Sequence, residues 1–123
     1  MNSYKNKRFS ARLGFALRGL AHALRTEASL KLQALAGTAA LLVLLVLRPP
    51  AVWWALVILA SAAVMAAELF NTAIEHLADL LHPQQSPGIR LVKDCAAAGV
   101  LVAVLGALGV AAALLVHLLS GAP

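Results

Sequence analysis

The chain has 123 residues, enough for one domain, and 62% of them are hydrophobic while only 12% are charged. That is about half the charged fraction of a soluble domain, so an ordinary soluble fold is excluded and an all-helical membrane protein is expected. The net charge of +5 does not indicate nucleic-acid binding, because seven of the ten Lys and Arg residues lie between Lys5 and Lys31 and aromatic residues make up only 5%. A basic arm on an anionic membrane surface explains that charge better. The single cysteine, Cys95, rules out an intrachain disulfide.

Residues 1–8 are polar and basic and read as a loose terminus. From Phe9 to Thr26, an apolar stripe of Phe9, Leu13, Leu17, Leu20 and Leu24 recurs at spacings of three and four. Arg8, Arg12, Arg18, His22 and Arg25 take other faces. This pattern predicts an amphipathic surface helix over 9–26, lying on the cytoplasmic leaflet. No signal peptide is expected, since the first apolar run follows this basic segment and no small-residue cleavage site comes after it.

Leu32 to Leu47 is a 16-residue run without charge. Extended by Leu30 and a snorkelling Lys31, it predicts a first transmembrane helix over 30–47. Arg48-Pro49-Pro50 ends it and restarts a helix. Trp53 and Trp54 follow as interfacial anchors. The second span is expected over 52–74, continuing as helix towards Leu80. Residues 82–88 read as a loop, followed by Arg90, Lys93 and Asp94. The third span is expected over 95–119, with Gly99, Gly106 and Gly109 permitting close helix packing.

Three spans place the amino terminus and the loop after span two on one side. That side holds nine of the ten Lys and Arg residues, with only Arg48 opposite. The positive-inside rule makes it cytoplasmic. All five acidic residues, Glu27, Glu68, Glu75, Asp79 and Asp94, fall there too.

The stretch from Glu68 to Asp79 carries the chemistry. It follows a segment from Ala51 to Ala67 that has no charge. A carboxylate at the edge of such a segment is expensive to keep near lipid and marks a functional site. At 100° per residue, Glu68, Asn71, Glu75 and Asp79 share one helix face. Three carboxylates and an amide suit a divalent cation with its phosphate ligand, or a proton relay. Mg²⁺ is held by one or two carboxylates plus substrate phosphates. Glu68 and Glu75 lie about 10 Å apart by the helical rise, so they take separate roles, one near the metal and one near a substrate hydroxyl. Glu27, at the same depth, can complete a metal site. Lys93, Arg90 and the basic arm can supply positive charge to a triphosphate, and Asn71 can orient a phosphate. The bland alternative is that these acids cap helices and pair with nearby cations, Asp94 above all. His22, His76, His82 and His117 show no metal-ligand spacing, so a zinc site is not expected. There is no G-x-x-x-x-G-K-[ST] phosphate loop.

Glu68-Leu-Phe-Asn-Thr-Ala-Ile-Glu75-His-Leu-Ala-Asp79 resembles the signature of the small bacterial integral-membrane lipid kinases, the prokaryotic diacylglycerol kinases and their undecaprenol kinase relatives. The elements Arg18-Gly19-Leu20, Glu27 and Lys93-Asp94-Cys95-Ala96-Ala97 match as well, and the resemblance extends from Phe9 to Leu115. It implies a homotrimer of three-span subunits with a surface helix, in the bacterial inner membrane, with composite active sites facing the cytoplasm. It implies Mg²⁺ and ATP, with a lipid alcohol as acceptor and no nucleic-acid partner. Carried over by position, Glu68 is the general base, and Glu27 and Glu75 are metal ligands. Arg8, Asn71, Lys93 and Asp94 serve the nucleotide and its phosphates, and Asp79 and Arg18 support them.

The expected activity is phosphorylation of diacylglycerol to phosphatidic acid. Phe70 and Arg25-Thr26-Glu27 look closer to the undecaprenol kinase branch, so undecaprenyl phosphate is the alternative product. A small membrane transporter is the alternative from another class. Its acid would sit nearer mid-bilayer, among an even number of spans.

Overall fold

The computed structural model describes residues 7–121. Most of the basic terminus read over 1–8, and the last two residues of the chain, lie outside the described residues. Four helices account for nearly all of it: α1 (Phe9–Thr26), α2 (Ala28–Leu47), α3 (Ala51–Leu81) and α4 (Pro87–Ser120). The last three are long and apolar enough to cross a membrane. At 1.5 Å per residue α2 is about 30 Å long, matching the hydrocarbon thickness, while α3 and α4 reach about 46 and 51 Å. The excess of α3 carries its acidic turns beyond the apolar stretch.

Each connection has a local cause. Glu27 alone separates α1 from α2. Its backbone is extended (φ −97°, ψ 113°), its N–H closes α1 on the Ala23 carbonyl at 2.8 Å, and its own carbonyl accepts from Lys31 N–H at 3.1 Å. One residue therefore ends one helix and begins the next, which pins its side chain at a corner. At the other end of α2, Arg48 takes the left-handed conformation (φ 50°), and its N–H bonds to the Leu44 carbonyl at 2.8 Å. Pro49 and Pro50 then hold the chain extended until Pro50 opens α3.

The start of α4 differs from the expectation drawn from sequence. Ser86 accepts from the Ile89 N–H through its side chain at 3.3 Å, with Pro87 in the first turn, so α4 begins at Pro87 rather than near Cys95. Arg90, Lys93 and Asp94 are thus helical. Asp94 lies two turns inside α4 and does not cap it, which corrects the capping alternative.

Helix α3 is the central element, packing along α4 and against α2, while α1 touches both α2 and α3. The apolar core lies at the end away from the acids, where Leu44, Val57 and Leu114 meet, with Trp53 and Val110 against them. There the Trp53 ring lies 5.3 Å from the His117 ring. Mid-bundle, α2 approaches α3 closely at Gly37, where a Cβ would stand 3.6 Å from the Ser61 Cβ. Large side chains such as Leu59, Val102 and Leu119 point outward, as they do in proteins that face lipid. An apolar groove of about 450 Å³ runs between α2, α3 and α4, past Leu44, Val64 and Leu114, with Gln33 and Ser61 as polar members.

Candidate active site

Along α3 the acidic stripe rises out of the bundle. Glu68 is 5% exposed and Thr72, one turn on, is 9% exposed. Asn71 and Glu75 are half-buried, and Asp79 is exposed. The four polar residues expected on one face therefore occupy graded surroundings, from the packed interior to the surface.

The buried carboxylate is partnered across the bundle. Ser29 Oγ, in the first turn of α2, donates to Glu68 Oε2 at 3.0 Å. Sequence reasoning missed Ser29 as a site residue. Its signal was its position two residues after Glu27, at the depth where the acids gather. Thr72, also missed, fills the interior between Glu68 and Glu75 on the same face.

One turn above Glu68, Asn71 Nδ2 donates to Glu75 Oε1 at 3.2 Å. The Asn71 Oδ1 is buried and has no hydrogen-bond partner among the described residues. Buried polar atoms are nearly always satisfied, so this orphaned oxygen is an acceptor awaiting a proton donor or a cation. Together with the Glu75 carboxylate it presents hard oxygen donors of the type that Mg²⁺ prefers. Glu27 stands apart from this pair in its hydrogen bonding, with Oε1 accepting from Thr26 Oγ1 at 3.4 Å. Among the described residues, no three His, Cys, Asp or Glu side chains gather as a metal-binding cluster.

The remaining expected residues divide between two places. Lys93 reaches from α4 to Asp79 on α3 and forms an ion pair with Oδ1. Lys93 also lines a small cleft of about 150 Å³ with Ser86, Arg90 and Asp94. Arg18 lies over the Phe15 ring on α1, its guanidinium carbon 4.8 Å from the centroid. Arg8 is exposed and precedes α1, its carbonyl accepting from the Ala11 and Arg12 N–H groups.

A family model described as prokaryotic diacylglycerol kinase matches residues 14–115. The chain belongs to the prokaryotic diacylglycerol kinase family. The match takes in all five acidic residues, Asn71 and Lys93, and leaves Arg8 outside. A search of curated proteins returned no significant match. Membership of the prokaryotic diacylglycerol kinase family implies lipid kinase activity with ATP as co-substrate, carried by a membrane protein.

Proposed function

We propose that the protein phosphorylates the free hydroxyl of diacylglycerol, giving phosphatidic acid, at the cytoplasmic face of the bacterial inner membrane. The observation that carries this reading is the buried Glu68 carboxylate in a chain of the prokaryotic diacylglycerol kinase family. It sits where the apolar stretch of α3 ends.

In this mechanism Glu68 accepts the proton of the lipid hydroxyl. A general base must lie within about 2.6–3.2 Å of the proton donor, and the lipid approaches along the interface. The lipid oxygen forms a bond to the γ-phosphorus as the bond to the β–γ bridging oxygen breaks, and ADP leaves. Phosphoryl transfer depends chiefly on positioning and charge neutralisation. Asn71, Lys93, Asp94 and Arg8 orient the nucleotide, with Asp79 and Arg18 in support. Glu27 and Glu75 would hold Mg²⁺, which when bound neutralises the β- and γ-phosphates. The active assembly is a homotrimer whose neighbouring subunits share each site, with α1 lying on the membrane surface. That placement of α1 is supported by the exposure of Phe9, Leu13 and Leu17 beside Arg12 and Arg18.

Undecaprenol is the second acceptor to test, because Phe70 is exposed on α3 two residues after the base. The experiment is transfer of label from γ-³²P ATP to diacylglycerol and undecaprenol in detergent micelles. Mg²⁺-dependent label in phosphatidic acid is the expected result. Label only in undecaprenyl phosphate would replace the acceptor, and ATP-independent behaviour with no labelled lipid would favour the transporter.

A further inference from the structure

We propose that Ser29 is a positioning residue for the general base, its hydroxyl fixing one oxygen of Glu68 so that the other faces the lipid hydroxyl. This rests on the kinase reading above and adds a residue to it.

A carboxylate that is 5% exposed is costly without hydrogen-bond partners. Glu68 meets that need with a single side chain from another helix, 39 positions earlier, at 3.0 Å. An ionised carboxylate is acceptor-only, so the Ser29 hydroxyl donates and its one proton is committed to Oε2.

Position adds a second reason. Ser29 is the second residue of α2, and Glu27 before it makes no side-chain cap. The first-turn N–H groups of a helix are unsatisfied within the helix and carry its positive dipole end. The contact with Ser29 therefore brings the Glu68 head group to a favourable place for negative charge. It also ties the base to the helix that begins at Glu27, one of the two proposed metal ligands.

A glutamate has three rotatable bonds, and a base that wanders loses the near-attack geometry on which turnover depends. Fixing Oε2 holds Oε1 in one orientation from which it can take the proton. Ser29 is itself exposed, so removing its hydroxyl opens no cavity. A fall in kcat that a restored hydroxyl reverses and a methyl of the same shape does not is the signature that separates positioning from packing.

The test uses the full chain in detergent micelles with Mg-ATP and the lipid that the wild type phosphorylates. Ser29→Ala should lower kcat about tenfold, the scale of one hydrogen bond to a charged group. The KM values for ATP and lipid should stay within about twofold, and the protein should still assemble, with a modestly lower melting temperature because the buried Glu68 carboxylate loses its partner. Ser29→Thr, which restores a hydroxyl, should recover most of the rate, whereas the isosteric Ser29→Val should not. This Thr/Val pair keeps the test valid if the alanine variant assembles poorly. In a Glu68→Gln background, Ser29→Ala should change the residual rate by less than about twofold, because the base that Ser29 positions is already gone.

The proposal is overturned if Ser29→Ala keeps the wild-type kcat, if its loss appears only in KM, or if Thr and Val behave alike. A wild type that labels neither lipid would instead refute the kinase reading, so the two failures are distinct.

Discussion

Lys93 of α4 and Asp79 of α3 form the one ion pair among the described residues, and it joins the two longest helices just where the acidic stripe reaches the surface. The side chains are 35% and 62% exposed respectively. An ion pair this open contributes about 0–1 kcal/mol to stability, so its importance lies in where it holds the lysine. Within the proposed mechanism, Asp79 keeps the Lys93 ammonium beside the cleft formed by Ser86, Arg90 and Asp94.

Asp79→Asn should therefore leave assembly and melting almost unchanged while raising the KM for ATP a few-fold. Lys93→Met should raise it further, by about tenfold, the scale of a lost charge-assisted hydrogen bond. Steady-state kinetics at saturating lipid measure both. A large loss of thermal stability with no change in KM would make the pair a structural clasp.

The orphaned Asn71 Oδ1 and the adjacent Glu75 lead to a prediction about the metal. Glu75→Ala should weaken metal-nucleotide binding and shift the Mg²⁺ dependence of turnover to higher concentration. Asn71→Leu, which removes the orphan atom at similar volume, should act in the same direction. Titration of activity with Mg²⁺ at fixed ATP is the measurement. An unchanged dependence in Glu75→Ala would remove that residue from the metal site.

Gly37 sets the approach of α2 to α3. A Cβ there makes ordinary van der Waals contact with Ser61 at 3.6 Å, so Gly37→Ala should be tolerated and should gain helix propensity. Gly37→Leu should force the helices apart and destabilise the fold by about 1–3 kcal/mol, the usual cost of overpacking. Because Ser29 and Glu68 belong to the same two helices, its activity should fall as well. Unfolding in mixed micelles, read alongside turnover, tests both effects.

The class of the protein was legible in the long uncharged runs of Leu, Ala and Val, which have no other use than crossing lipid. Its family was legible in Glu68, Asn71, Glu75 and Asp79, because polar residues at fixed helical spacing stand out in an apolar frame. The start of α4 was harder. Arg90, Lys93 and Asp94 interrupt the apolar pattern and resemble a loop, yet Ser86-Pro87 is a helix-opening pair. Ser29 was not legible as the partner of Glu68, because periodicity describes each helix alone. Which turn of α2 meets which turn of α3 depends on the short connection from Arg48 to Pro50 and the close approach at Gly37, and neither has a periodic signature.

The central claim is that Glu68 takes the proton from the lipid hydroxyl. The measurement that tests it most directly is γ-³²P transfer from ATP to lipid by the wild type and Glu68→Gln, at equal amounts of assembled protein. The substitution keeps the volume and a hydrogen-bond acceptor for Ser29 but removes the base. General base catalysis contributes about 10²–10⁴-fold, so labelled lipid should fall by at least that lower bound while assembly is retained. Labelled lipid at the wild-type rate from Glu68→Gln would contradict the account.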